Sequence, residues 1–186
     1  IEEELARLNR AKRLRSACSE TLVRATSESD LLHAVCRAAV EIGGYRMGWG
    51  GMAPNDSRKR NEGVADAGAA PEDLEHMQLS WSPQENGGQG PASVCLRSGR
   101  TVIVRDVQDS PALKGWTERM ARLGLHAVVC LPLRDARRTF GLLTLSAPQV
   151  LHVGPQETQL LEAMAADLAF GIQNLRARAE QQRLQA

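Results

Sequence analysis

Residues 88–146 constrain this chain most. The stretch opens with Gly-Gln-Gly-Pro-Ala and continues through Cys-Leu-Arg-Ser-Gly-Arg-Thr-Val-Ile-Val-Arg-Asp-Val. It closes with Ala-Val-Val-Cys-Leu-Pro-Leu-Arg-Asp-Ala-Arg-Arg-Thr-Phe-Gly-Leu-Leu-Thr-Leu-Ser. This order predicts a short helix over 91–98 ended by Gly99, then a β-branched strand over 101–104. A helix beginning at Ser110-Pro111 follows, with Leu113, Trp116, Met120 and Leu123 on one face. Strands over 127–133 and 139–145 are joined by Asp135-Ala136-Arg137-Arg138. Pro132 and Gly141 mark places where a strand bends or sits near an edge.

The flanks read as helices. Residues 1–26 open with three acidic groups, Glu2 to Glu4, which suit the positive end of a helix dipole. Ile1, Leu5, Leu8, Lys12, Arg15, Ser19 and Leu22 follow heptad spacing, apolar at the ends and polar in the middle. A wet helix with so narrow a stripe predicts a partner helix. A second helix starts near Ser27, where Ser-x-x-Asp is a weak capping box. It buries Leu31, Leu32, Val35, Cys36, Ala39 and Val40, and Gly43-Gly44 stops it. Residues 45–53 read as a strand with Tyr45, Met47 and Trp49 on one face, and its glycines allow close backbone approach. A more polar strand over 60–68, a short helix over 71–79 and a Gly/Pro/Ser/Asn-rich loop over 80–91 complete the middle. The last helix starts near Pro155 and shows a wide apolar face of Leu160, Leu161, Met164, Ala165, Leu168, Ala169 and Ile172. Past Gln173 the face narrows to Leu175 and Ala179 with no Gly or Pro to stop it, as in a connector.

Composition excludes several classes. Lys and Arg number 23 against 22 Asp and Glu, a net charge of +1. That balance offers no electrostatic footprint for nucleic acid and no polybasic signal for a membrane surface. No apolar run approaches the ~20 residues of a membrane span, and no export signal is read. A start at Ile1 reads as a piece of something longer. Cys18, Cys36, Cys95 and Cys130 form no C-x-x-C pair, which predicts free thiols in the cytoplasm rather than a zinc site or disulfide framework. Aromatic residues are only 3% of the chain, so Trp49, Trp81 and Trp116 stand out.

Leu96-Arg97-Ser98-Gly99-Arg100 leading into Val102-Ile103-Val104-Arg105-Asp106, then Leu131-Pro132-Leu133 and Phe140-Gly141-Leu142-Leu143, resemble a GAF domain. Gly43-Gly44-Tyr45-Arg46 with Trp49, Ser80-Trp81 and Gly90-Pro91 resemble a bacterial subgroup found beside PAS, diguanylate cyclase, phosphodiesterase or histidine kinase modules. The resemblance implies an α/β (α+β) fold: a central antiparallel sheet with a pocket side of short helices and loops, and terminal helices on the opposite face. It implies a signalling helix over 1–26, the domain over 27–173 and a coiled-coil-like connector over 174–186. The implied function is cytoplasmic sensing of a small molecule, passed through dimeric terminal helices to a covalently linked output domain. Two alternatives are a ligand-free dimerisation spacer and a free methionine sulfoxide reductase.

The expected pocket residues are Trp49, Trp81, Asp106 and Trp116, with a turn-capping role weighed for Asp106. The expected dimer contacts are Leu5, Leu8, Leu22, Leu161, Met164, Leu168, Ile172 and Leu175. No metal or cofactor is assigned. Gly87-Gly88-Gln89-Gly90 lacks both phosphate-loop patterns. Cys95 and Cys130 are each followed by Leu rather than the His usual at a bilin site. They also lack the sequence contexts of the reductases, so the chain is read as non-enzymatic.

Overall fold

The computed structural model describes residues 2–54, 62–68, 90–109 and 120–186. In chain order the elements are α1 (Glu2–Arg24), α2 (Glu28–Glu41), β1 (Met47–Met52), β2 (Glu62–Ala67) and α3 (Pro91–Ser98). After these come β3 (Val102–Val104), a 3-10 turn (Val107–Asp109), β4 (Ala127–Arg134), β5 (Thr139–Ala147) and α4 (Pro155–Gln185). The expected helix over 71–79 lies outside the described residues, as does most of the one starting at Ser110.

Local chemistry sets the boundaries. The Ser27 side chain accepts a hydrogen bond from the Asp30 N–H at 3.1 Å, capping α2. Pro91 and Pro155 occupy first-turn positions of α3 and α4, where a missing N–H is harmless. Gly99 ends α3 in the left-handed conformation, φ +67°, with its N–H on the Cys95 carbonyl.

The sheet order is β2-β1-β5-β4-β3, antiparallel throughout. β4 and β5 are long because both are covered on two faces. Pro132 is tolerated inside β4 because β3 reaches only as far as Cys130, leaving position 132 without a neighbour on that side. Between the Leu133–Gly141 and Arg134–Thr139 pairs β5 gains one residue, Phe140. That bulge turns the Phe140 ring into the core below the sheet.

One face is sealed by α1, α2 and α4. Val129, Leu131, Leu133, Leu143 and Leu145 point into it, against Leu31, Leu32 and Val35 of α2 and Leu161, Met164 and Leu168 of α4. Gly48 lets α2 approach: a Cβ there would stand 3.0 Å from the Cys36 carbonyl oxygen and 3.2 Å from its Cα. Tyr45 departs from the expected strand face. β1 begins only at Met47, so the alternation does not reach Tyr45, which packs into the helix-side core instead.

Helices α1 and α4 run parallel. Arg7 pairs with Glu157, Arg15 with Asp167, and Leu22 lies against Gly171, a nearly constant offset along both chains. The face α1 uses is not the expected stripe. Ala11, Leu14 and Cys18 are buried, whereas Lys12, Arg15 and Ser19 face solvent. Small residues bring helices close, and a reading guided by heptad spacing overlooked them. The expected dimer contacts Leu161, Met164, Leu168 and Ile172 are likewise corrected: all four are fully buried in this chain's own core. With no surface left, they have nothing to offer a second copy. Leu8 is half-buried, Leu22 and Leu175 are partly buried against the same core, and Leu5 is exposed.

Candidate functional site

The opposite face of the sheet has different chemistry. Strand pairing sets Trp49, Thr144 and Cys130 in one row across β1, β5 and β4, and Met47, Ser146 and Val128 in the next. Helix α3 lies over these rows. Its Cys95 packs with Met47, Val104, Val107, Val128 and Cys130, while Leu96 packs with Trp49, Ala53 and Leu142. Trp49 is 5% exposed. Its indole lies over Gly63 of β2, where an added Cβ would come 3.0 Å from Nε1. A glycine there gives the ring its seat.

Four polar or charged residues are buried among those described: Ser93, Thr144, Ser146 and Glu157. Two of them, Thr144 and Ser146, are on this face, and Ser93 belongs to the overlying helix, whereas the β4 and β5 side chains that join the sealed core, Phe140 included, are all apolar. The Thr144 hydroxyl makes only a long contact, 3.8 Å, with the Cys130 sulfur. The Ser146 side chain is 1% exposed and has no hydrogen-bond partner among the described residues. A buried hydroxyl without a partner costs free energy unless something else satisfies it. Sequence reasoning passed over both hydroxyls. The signal was present: in Leu143-Thr144-Leu145-Ser146, the period of two puts them opposite the two leucines.

The thiols on this face are held protonated. Burial pushes the Cys130 thiol up from 9.0 to about 12, against the opposing effect of the Thr144 hydroxyl. Burial, with Cys130 nearby, also raises the pKa of Cys95. All four cysteines are unpaired and buried.

Of the expected pocket residues, Trp49 stands on this face. Trp81 and Trp116 lie outside the described residues. Asp106 is engaged locally: its Oδ1 accepts from the Gln108 N–H at 3.1 Å and caps the 3-10 turn, so the structure gives its carboxylate the turn role. Among the described residues no group of His, Cys, Asp and Glu is placed to hold a metal ion. No helix there is long and apolar enough to cross a membrane.

A family model described as "GAF domain" matches residues 25–173. Solved structures share the fold at low identity. The GAF domain of a phosphoenolpyruvate-protein phosphotransferase from Coxiella burnetii is 15% identical, with 93% of this chain and 98% of that chain covered at a TM-score of 0.74. A free methionine-R-sulfoxide reductase from Neisseria meningitidis, in complex with its substrate, is 15% identical over 90% of this chain and 93% of that one, TM-score 0.73. A domain of a putative two-component sensor histidine kinase from Sinorhizobium meliloti is 21% identical over 84% and 96%, TM-score 0.62. No curated protein matches the chain.

Proposed function

The chain belongs to the GAF domain family, and from that membership we propose that it is a regulatory sensory module of a bacterial signalling protein. It binds a small molecule on the α3 face of the sheet, as a cytoplasmic homodimer. The bound state passes through α1 and α4 to a covalently linked output domain. The observation that carries this reading is the asymmetry of the two sheet faces. One is closed with apolar side chains. The other holds an indole and two buried hydroxyls, one of them without a partner among the described residues. Ligand sites combine such apolar walls with a few polar groups. Trp81 and Trp116 remain proposed wall residues beside Trp49.

The helix layer suits transmission. Because α1 and α4 are parallel, the chain enters the layer at one end and leaves it at the other. A ligand that prefers one packing of the sheet shifts the population of helix arrangements by no more than its differential affinity.

We read the module as non-catalytic. A thiol nucleophile needs an accessible thiolate, and Cys95 and Cys130 are wholly buried with raised pKa values. The methionine sulfoxide reductase neighbours share the fold, and at 15% identity the likeness goes no further. The ligand-free spacer has one observation in its favour: Trp49 already packs against Ala53, Leu96 and Leu142.

Native mass spectrometry of the protein purified from its own host decides between them. The sensory reading expects a non-covalent added mass that is absent from Trp49→Ala. A bare mass, with no thermal stabilisation by a metabolite library at millimolar concentration, overturns it in favour of the spacer. Enrichment to 100 times Kd stabilises by about 2.7 kcal/mol, which a thermal melt resolves.

A further inference from the structure

Strand β3 is the last strand of its sheet, so its outer backbone edge has no strand partner among the described residues. An unpaired edge is a template for another strand, and folds usually cover or charge it. Here the loop after β5 covers only the far end, where the Arg105 carbonyl accepts the Leu151 N–H at 3.0 Å. Between the rest of the edge and α4 lies a groove of about 600 Å³. Its floor is apolar, made by Ile103 of β3, Pro132 of β4, and Ala165 and Ala166 of α4.

The polar groups around this floor are unequally satisfied. Arg100 and Arg134 line the end nearest the β4–β5 turn. Arg134 donates to the Gly99 carbonyl at 3.2 Å, which fixes the guanidinium and leaves its other N–H groups for a ligand. Neither arginine has a carboxylate within ion-pair distance among the described residues. The one carboxylate lining the groove, Glu162, already accepts from the Thr101 hydroxyl at 2.9 Å. The Thr158 hydroxyl is turned back to the Gly154 carbonyl. The arginines are left as the unanswered charge.

We propose that this edge takes an extended segment of a partner protein as an added strand, with an Asp or Glu side chain set against Arg100 and Arg134. The dimensions fit. From Thr158 to Ala166 the groove follows α4 for ~12 Å, the length of about four extended residues. An added strand turns alternate side chains into the groove, over Ile103 and Pro132. Its main-chain hydrogen bonds to β3 supply affinity, and the groove supplies selectivity. Charge decides the occupant. The β3 segment of a second copy reads Arg-Thr-Val-Ile-Val-Arg over 100–105, with arginine at both ends and no acid. It has nothing to offer Arg100 and Arg134, whereas an acidic segment pairs with both. The groove lies on the helix side of the sheet, so it neither needs nor tests the small-molecule reading of the α3 face. Its occupant touches α4 directly.

Nuclear magnetic resonance of the whole isotope-labelled chain tests this with synthetic peptides. The probes are acetyl-Thr-Val-Thr-Glu-amide, its Gln counterpart, and two forms of the first that are N-methylated on alternate amides. At millimolar concentration the Glu peptide is expected to shift the amides of Thr101 to Val104 and of Ala165 and Ala166. The Gln peptide binds roughly tenfold more weakly, the margin of a charge-assisted pair. Arg100→Gln, at an exposed position, weakens the Glu peptide to the level of the Gln peptide and leaves the latter unchanged. The N-methylated form whose methyl groups face β3 does not bind. An absence of shifts at these amides overturns the proposal. Equal binding of the Glu and Gln peptides overturns the acidic occupant, and full binding by both N-methylated forms overturns strand addition. If Arg100→Gln fails to fold, the Glu and Gln comparison on the wild type decides.

Discussion

Arg7 and Glu157 offer a direct measure of how α1 is held. The guanidinium donates to both carboxylate oxygens, at 3.2 and 3.0 Å, and the two side chains are only 16% and 10% exposed. At that separation and an effective dielectric of about 20, the gross attraction is ~5.5 kcal/mol, much of it offset by dehydration. Truncating one partner leaves a carboxylate in a closed site. Breaking such buried pairs costs about 3–5 kcal/mol, and the residual exposure here puts Arg7→Met near the lower end, at ~3 kcal/mol. Replacing both partners, Arg7→Met with Glu157→Leu, removes the buried charge as well and returns the chain to within ~1 kcal/mol of wild type. Urea unfolding followed by circular dichroism reads the wild type, Arg7→Met, Glu157→Leu and the double variant, and the cycle of these four isolates the pair. If Arg7→Met alone changes stability by less than ~0.5 kcal/mol, a typical surface value, α1 is not clamped to α4 and the parallel helix layer described above is wrong.

The corrected role of the last helix is equally testable. Leu161→Ala opens a core cavity and costs ~2–5 kcal/mol, while Leu5→Ala, at an exposed position, stays within ~0.5 kcal/mol by the same unfolding assay. The cysteines of the native chain resist a thiol-specific chromogenic reagent at pH 8 and react once urea unfolds it; prompt reaction of Cys130 in the folded state would contradict its burial. Cys18, Cys36 and Cys130 also set an alkaline limit. Their folded pKa values are raised from 9.0 to about 12, so above pH 9 the unfolded chain loses protons that the folded chain keeps. Their contribution is therefore intact below pH 9 and is lost as pH rises toward 12, at up to ~1.4 kcal/mol per pH unit for each thiol. Urea titrations at pH 8 and 10 read this, and equal stability at both would refute it.

Much of the sheet was legible because its signals are local. The β4–β5 hairpin, α3 with Pro91 and Gly99 at its ends, and the Ser27 cap of α2 all rest on residues that act within a few positions of themselves. What escaped depends on contacts distant in sequence. Apolar spacing in α4 identifies a buried face but not what buries it. Leu161, Met164, Leu168 and Ile172 were therefore read as contacts with a second copy, although this chain's own sheet covers them. In α1 the buried residues are Ala11, Leu14 and Cys18, and two of these are too small to weigh in a heptad count. On the α3 face, rarity drew attention to tryptophan, and the hydroxyls of Thr144 and Ser146 passed as ordinary strand residues. Their importance comes from what is missing around them, which only three-dimensional neighbours reveal.

Hydrogen exchange resolved along α4 reaches the central claim most directly, by comparing protein that carries its host ligand with protein refolded from urea without it. The account predicts that removing the ligand raises exchange both on the α3 face, around residues 142–146, and in the last turns of α4, residues 176–185. Loss of protection confined to the sheet, with α4 exchanging identically in both samples, would mean that the sheet and the exit helix do not communicate.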